Sequence, residues 1–218
     1  MRDTAIVFAR APRLGAVKRR LARGIGARAA LRFHVATMTR LLRALAADRR
    51  FATVLAVTPD RAGFRLPLRI SRMPQGAGDL GIRMHRALAR YPRGRALIIG
   101  CDIPEATADD VAVAFRALGN ADAVFGPASD GGYWLVGFGP RRPARPFANV
   151  RWSTRHALAD TLNNFRGKRL AQLRTLHDID VAADLSSLVA GTSFKVTPTA
   201  GTAPSAPAAS RRRSATPG

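Results

Sequence analysis

Short apolar segments that read as strands alternate with segments of helical periodicity along residues 1–192, and this alternation restricts the possible fold more than any other feature. Runs of four to eight apolar residues predict buried strands, and apolar residues spaced three or four apart predict helices. The predicted strands are Thr4–Ala9, Ala52–Val57, Leu66–Met73, Ala96–Gly100, Ala121–Phe125, Gly132–Phe138 and Arg169–Leu173. The predicted helices are Ala27–Ala47, Leu80–Tyr91, the segment from the Thr107 cap to Leu118, Ser153–Phe165 and Val181–Leu188. This order predicts an α/β fold with a mostly parallel sheet, in which one close pair of strands is antiparallel.

The chain divides into one folded domain and a tail. Residues 1–192 have the length of a single domain, whereas residues 193–218 are rich in Pro, Ala, Thr and Ser and contain no acid. Because such a segment cannot bury a core, we expect residues 193–218 to be disordered. The apolar run at the N-terminus is too short for a signal peptide, and no run reaches the ~20 residues of a membrane span, so a cytoplasmic protein is expected.

The charge of the chain favours anionic partners. The 218 residues carry 36 Lys+Arg against 14 Asp+Glu, a net charge of +22. Such a charge attracts polyanions, but the arginines are spread along the chain and aromatic residues make up only 6%, which is few for stacking bases. Nucleotides are therefore expected as partners rather than a specific nucleic acid.

The loop after the first strand is a candidate phosphate site. It runs from Arg10 to Leu21, contains Pro12, Gly15 and five basic residues, and leads into a helix. Ligands of open α/β sheets bind beyond the carboxyl ends of the strands, and a helix start with cationic side chains suits phosphate. The alternative is a solvated basic loop.

Two positions at strand ends could hold a metal ion. Asp102 follows the strand Ala96–Gly100 in a chain with few acids, so it could bind Mg²⁺ or Mn²⁺ that bridges phosphate oxygens, or else cap the next turn. Asp178 and Asp180 follow the last strand and are spaced so that both side chains point the same way if the backbone is extended. Asp180 could complete the metal site or cap the following helix.

Two glycine-containing segments admit more than one interpretation. The residues from Gly126 to Trp134 suit a hairpin turn, although paired glycines also allow a substrate to approach the backbone. Gly76, Gly78 and Gly81 match the spacing of a dinucleotide-binding turn. The strand before them is weak, and Asp79 would face the pyrophosphate, so hydride transfer is the weaker hypothesis.

Six segments, in this order, resemble those of a bacterial glycosyltransferase-like family long carried as a domain of unknown function. They are Ile6–Leu21, Gln75–Met84, Leu97–Thr107, Asp122–Gly137, Trp152–Thr154 and His177–Leu185. This family belongs to the nucleotide-diphospho-sugar transferase superfamily, so the resemblance implies a single GT-A fold with a mixed, mostly parallel sheet flanked by helices. The set is also similar, more distantly, to 2-phospho-lactate guanylyltransferase and molybdenum cofactor guanylyltransferase.

The resemblance implies roles for the matching residues. Nucleotide binding is implied for Ala11, Pro12, Gly15, Lys18, Arg20, Gln75, Gly78, Asp79 and Arg83. Contact with the acceptor is implied for Gly131, Gly132 and Tyr133, catalysis for Asp130 and Lys18, and metal binding for Asp102 and Asp180. The implied reaction is transfer of a sugar from a nucleotide sugar to a small acceptor with Mg²⁺ or Mn²⁺, in which Asp130 or Asp79 is the base; the alternative is nucleotidyl transfer from a nucleoside triphosphate.

Overall fold

A computed structural model describes residues 2–185, in which strands and helices alternate as the sequence predicts. The strands are β1 (Thr4–Arg10), β2 (Ala52–Thr58), β3 (Ser71–Pro74), β4 (Ala96–Gly100), β5 (Ala123–Pro127), β6 (Tyr133–Phe138) and β7 (Leu170–Gln172). The helices are α1 (Arg19–Ile25), α2 (Ala27–Ala47), α3 (Leu80–Ala89), α4 (Ala108–Ala117) and α5 (Ala157–Asn163).

All seven strands form one mixed, mostly parallel sheet in the order β3-β2-β1-β4-β6-β5-β7. Strands β3, β2, β1 and β4 pair in parallel, and β7 pairs in parallel with β5. Strand β6 lies antiparallel between β4 and β5. The predicted fold class and the predicted antiparallel pair are therefore confirmed.

The sheet is buried on both faces because its strands are apolar on both sides. Along β1, Ala5 and Val7 belong to one core cluster and Ile6 to the other, as the two-residue period of a strand requires. The first cluster includes Met38 of α2 and other residues of α2 and α4, and the second includes Met84 of α3. Helices thus cover both faces and leave the strand ends as the place for a ligand.

A third, small cluster lies beside the carboxyl end of the sheet. Leu21 of α1, Ala30 of α2 and Ile179 are almost fully buried together. This contact brings the segment after β7 against the start of α1, although the two are more than 150 residues apart in the chain. The candidate loop after β1 and the candidate carboxylate Asp180 are neighbours for this reason.

Several predicted boundaries shift. Helix α5 begins at Ala157 rather than Ser153, because Ser153 has a left-handed backbone (φ 61°) and residues 152–155 form turns instead. The predicted strand Leu66–Met73 corresponds to the shorter β3, Ser71–Pro74, at the edge of the sheet. Of the predicted helix Val181–Leu188, residues 182–185 are helical, and its remainder, like the predicted tail 193–218, lies outside the described residues. Within residues 2–185, no helix combines the length and hydropathy needed to cross a bilayer.

Candidate active site

An acidic cleft of ≈ 490 Å³ opens where the segment after β7 passes the turn between β5 and β6. It is lined by Arg20, Glu105, Ser129, Asp130, His177, Asp178, Ile179, Asp180, Val181 and Asp184. Five of the chain's 14 acidic residues are in this lining, in a chain with 36 basic residues. The strongly basic chain therefore concentrates negative charge at one place.

Lys18 joins the two predicted metal ligands at the edge of this cleft. Its Nζ donates to Asp102 Oδ2 at 2.9 Å and to Asp180 Oδ1 at 2.8 Å. The Lys18 side chain is 6% exposed, whereas the two carboxylates are 41% and 40% exposed. Burial opposes the charge of Lys18, but the attraction of Asp102 and Asp180 outweighs it and raises the pKa of the ammonium above its ordinary value.

Local structure explains how Lys18 reaches this position. Lys18 precedes α1 and has left-handed backbone angles (φ 47°, ψ 46°), which are uncommon for a residue other than glycine. Leu21, one turn further on, packs in the cluster with Ile179 and so holds α1 against the segment that carries Asp180. The start of α1 is thereby fixed with the ammonium directed at both carboxylates.

Neither predicted ligand serves as a helix cap among the hydrogen bonds of the described residues. Asp184 Oδ2 accepts from the backbone N–H groups of Asp180 and Val181 at 2.7 and 2.8 Å, while the Asp180 carboxylate accepts from Lys18 and, at 3.5 Å, from Arg20. Helix α4 is capped by Thr107, as predicted from the sequence. The geometry therefore leaves the carboxylates of Asp102 and Asp180 directed at a shared cation.

Two further carboxylates face the cleft without a basic partner among residues 2–185. Burial, followed by the negative charges of Asp130 and Asp180, raises the pKa of Asp178 to about 6. Asp130 Oδ1 accepts from the Gly132 backbone N–H at 2.8 Å, which fixes its turn. A raised pKa in a cleft marks a carboxyl group that a bound cation or a proton would stabilise.

Three other residues with a predicted role in nucleotide binding, Gln75, Asp79 and Arg83, form a separate hydrogen-bonded group near the ends of β1 and β2. Gln75 is 2% exposed; its Nε2 donates to the carbonyls of Ala9 and Ala56, and its Oε1 accepts from Arg83 Nη1 at 2.8 Å. Asp79 caps α3 by accepting from the Ile82 N–H at 2.8 Å. Gln75 thus lies behind the surface and positions Arg83.

The remaining predicted residues divide between surface and core. In the loop after β1, Ala11 is buried and hydrogen-bonded to Thr58, Pro12 is half-buried, and Gly15 is exposed with φ 74°. Gly78 has φ 107° in the turn before α3. Tyr133 is partly buried, and its ring packs edge-on against the core residue Phe125, with ring centres 5.9 Å apart.

Residues of the cleft also include some to which the sequence assigned no role. Ser129, His177 and Asp184 line the cleft, and Glu105 lies with its Oε2 3.7 Å from His177 Nδ1. Glu105 and Asp184 each stand close in sequence to a predicted metal ligand. Because the chain has few acidic residues, this proximity was the sequence signal that could have identified them as cleft residues. Their convergence depends on contacts between distant segments.

Comparisons with known proteins place the fold. The chain matches, with 28% identity and a TM-score of 0.80 over 85% of each chain, a candidate nucleotide-diphospho-sugar transferase from Desulfovibrio desulfuricans G20. It matches Rv0371c of Mycobacterium tuberculosis H37Rv, solved in complex with manganese, with 14% identity and a TM-score of 0.50 over 88% of this chain and all of that one. The 4-diphosphocytidyl-2C-methyl-D-erythritol synthase of Anaerococcus prevotii DSM 20548 matches with 11% identity and a TM-score of 0.55 over 87% and 97%.

The first match confirms the expected nucleotide-diphospho-sugar transferase fold, and the two weaker ones show likeness of fold alone. No curated protein matches the chain. A family model does match, over residues 37–154, more than half of the chain; its description is an uncharacterized protein conserved in bacteria (DUF2064). The resemblance seen in the sequence is thereby confirmed, and the chain belongs to this bacterial family, DUF2064.

Proposed function

We propose that this protein is a metal-dependent transferase that moves a sugar from a nucleotide sugar to a small acceptor. One observation carries the proposal: the Lys18 ammonium lies between Asp102 and Asp180 beside an acidic cleft, 2.9 and 2.8 Å from their oxygens. A site for phosphates and a divalent cation needs positive groups for the phosphates and carboxylates for the cation, and this site has both. The similarity to the candidate transferase of D. desulfuricans supports the class of donor.

The two carboxylates fit a divalent cation that is shared with the donor. Among residues 2–185, no three His, Cys, Asp or Glu side chains form a ready-made metal site. Mg²⁺ is commonly bound by one or two carboxylates plus substrate phosphates and water, which is what Asp102 and Asp180 would require. Bound there, Mg²⁺ or Mn²⁺ would neutralise charge on the phosphates of the leaving nucleotide.

The basic residues beside the carboxylates would hold the donor phosphates. Lys18 is almost completely buried and Arg20 is 69% exposed, and both contact Asp180. Gly15, exposed in the loop before Lys18, would allow a phosphate to approach the backbone closely. Charge-assisted hydrogen bonds from Lys18 and Arg20 bind and orient the phosphates, so that the departing charge is stabilised where it develops.

Asp130 would act on the acceptor. Its carboxylate lines the cleft next to Asp178, whereas Asp79, the other carboxylate considered, caps α3 in a separate group of residues. In an inverting transfer, the acceptor oxygen bonds to the anomeric carbon, the bond from that carbon to the phosphate oxygen breaks, and the carboxylate takes the acceptor proton. The backbone N–H of Gly132 holds Asp130 in a defined orientation for this role.

Nucleotidyl transfer is the second candidate, because the pairing of two cations with one carboxylate is equally compatible with it. Lys18 and Arg20 both contact Asp180, and two cations beside a metal site would also suit a leaving pyrophosphate. In that reaction, a phosphate of the second substrate attacks the α-phosphorus of a nucleoside triphosphate. The product separates the two reactions, because sugar transfer releases a nucleoside diphosphate and nucleotidyl transfer releases pyrophosphate.

A thermal-shift panel of nucleotide sugars and nucleoside triphosphates with Mn²⁺ tests the proposal, because a bound ligand stabilises the folded state. The preferred donor should lose about tenfold or more in affinity in Lys18→Ala and in Arg20→Ala, since each would remove a charge-assisted hydrogen bond of about 1.5–3 kcal/mol. Arg166→Ala is the matched control, because Arg166 is exposed and lies beyond α5. Equal losses in all three variants would mean that only the general positive charge matters.

A further inference from the structure

The Lys18 ammonium occupies the position that a cation shared by Asp102 and Asp180 would need. Its Nζ lies 2.9 Å from Asp102 Oδ2 and 2.8 Å from Asp180 Oδ1. A divalent cation such as Mg²⁺, bound to the same two carboxylates, would lie about 2.0–2.1 Å from its oxygen ligands, so it would overlap the ammonium. The ammonium and the cation therefore exclude each other.

We infer that Lys18 is a positioning residue that keeps a divalent cation out of the Asp102–Asp180 site until nucleotide phosphates draw its ammonium away. The inference rests on the proposed function, since it takes these carboxylates as the metal ligands. It adds an order of events: metal and nucleotide bind together, and the metal alone binds weakly. In the protein without bound nucleotide, the Lys18 ammonium thus occupies the metal position as a monovalent cation.

The Lys18 side chain can move from the two carboxylates to a bound phosphate. Residues 13–16 of the same loop are exposed, although the intervening Val17 is buried, and the Lys18 backbone is in the left-handed region, which only Gly adopts without cost. An ammonium on a flexible four-carbon stem can turn from the carboxylates to a phosphate without movement of the helix. Phosphate oxygens would replace the two carboxylate contacts and so release both carboxylates to the metal.

The expected effect on metal affinity follows from the populations of two states. If the site is open in only a fraction of molecules, the apparent dissociation constant rises by the inverse of that fraction. Because the ammonium makes two short charge-assisted bonds, the open fraction should be about one tenth or less. Removal of the ammonium should therefore tighten binding of the metal alone by about tenfold or more.

A general change in charge predicts a different pattern. Arg20 also contacts Asp180, but at 3.5 Å and with a side chain that is 69% exposed, so it does not fill the site. Arg20→Met removes the same charge beside the same carboxylate and is the matched control for Lys18→Met. The difference between the two variants isolates occupancy of the site from the local electrostatic field.

The first test is a titration with Mn²⁺ alone, in which free Mn²⁺ is followed by electron paramagnetic resonance. Lys18→Met should bind Mn²⁺ about tenfold or more tightly than the wild type, and Arg20→Met should differ from the wild type by no more than about threefold. Adding Asp102→Asn to Lys18→Met should abolish the gain. Equal or weaker binding by Lys18→Met, or an equal gain in Arg20→Met, would overturn the inference.

A second test uses the wild type and needs no variant to fold. Lys18 is nearly buried and doubly paired, whereas Lys168 is exposed and serves as the internal reference. Mass spectrometry after brief acetylation should show that saturating Mn²⁺, without nucleotide, raises modification of Lys18 relative to Lys168. Unchanged protection of Lys18 at saturating Mn²⁺ would refute displacement.

The outcomes separate this inference from the proposed function. If the wild type and Lys18→Met bind Mn²⁺ equally tightly through Asp102, the metal site stands and only the role of Lys18 as the monovalent cation in that site fails. If neither protein binds Mn²⁺ with or without a nucleoside triphosphate or nucleotide sugar, the metal-dependent function fails as well. Tighter binding in Lys18→Met that disappears with Asp102→Asn supports both.

Discussion

Replacement of Asp102 by Asn should abolish metal-dependent nucleotide binding while the fold remains. The substitution keeps the shape and one acceptor oxygen but removes the charge. Lys18 retains its bond to Asp180 at 2.8 Å, and the new amide oxygen can still accept from the ammonium. The same substitution therefore separates the metal role of Asp102 from any structural role.

The magnitudes differ enough to be measured. The Asp102 carboxylate is 41% exposed, and ion pairs this close to solvent contribute about 0–1 kcal/mol, so the loss of stability should be about 1 kcal/mol or less. A divalent cation that loses one of two anionic ligands should lose about 3 kcal/mol or more of binding free energy, which is about a hundredfold in affinity. Urea unfolding gives the first quantity, and calorimetric titration of Mn²⁺ in the presence of the stabilising nucleotide gives the second.

Asp109→Asn is the matched control. The Asp109 carboxylate is 84% exposed, pairs with Arg50 and is not among the residues that line the cleft. It undergoes the same chemical change with no expected effect on Mn²⁺. If Asp102→Asn bound Mn²⁺ as tightly as Asp109→Asn does, the metal role would be wrong; a stability loss of about 3 kcal/mol or more would instead show that the carboxylate is structural.

Three further predictions concern stability. Gly131→Ala should destabilise the fold by about 2 kcal/mol or more, because Gly131 has φ 85° and a Cβ there would collide with the backbone carbonyl of Arg155. Gly132→Ala is the control and should cost under about 1 kcal/mol, as measured by thermal unfolding. Similar costs for the two variants would contradict the packing around Gly131. In metal-free buffer, Asp178 is harder to ionise when folded (pKa about 6) than when unfolded (3.8), so its stability contribution is lost as pH rises. Because Asp178 is only half-buried, solvent screens its interactions, so the wild type should lose about 1 kcal/mol relative to Asp178→Asn between about pH 4 and 7 in urea unfolding; a constant difference would refute the shift. Gln75→Leu should cost about 1–3 kcal/mol in the same assay, because two strand carbonyls and Arg83 lose their partner; a neutral result would show that solvent replaces Gln75.

Local pattern was sufficient for most of the secondary structure. Helix α2 has its predicted bounds, Ala27–Ala47, because its apolar residues follow one helical stripe without interruption. Strand β4 also has its predicted bounds, and Thr107 caps α4 as expected, since both signals lie within a few residues. The predicted start of α5 was wrong, because turn residues precede this helix and their pattern did not indicate where the helix begins.

The sequence also placed Asp102 and the basic loop correctly at the ends of strands. Parallel strands next to each other end at the same edge, so a residue that follows β4 must lie near one that follows β1. This reasoning needs the alternation of strands and helices together with the pairing of β1 with β4, which the structure shows. It predicts that Lys18 and Asp102 are close, but not that their side chains bond.

Only the tertiary structure could decide what surrounds those residues. Asp180 meets Lys18 across 162 positions because Ile179 packs with Leu21, and burial turns Gln75 inward to hold the strand ends. The ring of Tyr133 likewise packs against the core. Such outcomes depend on which distant apolar surfaces meet, and a local period of two or 3.6 residues carries no information about that choice.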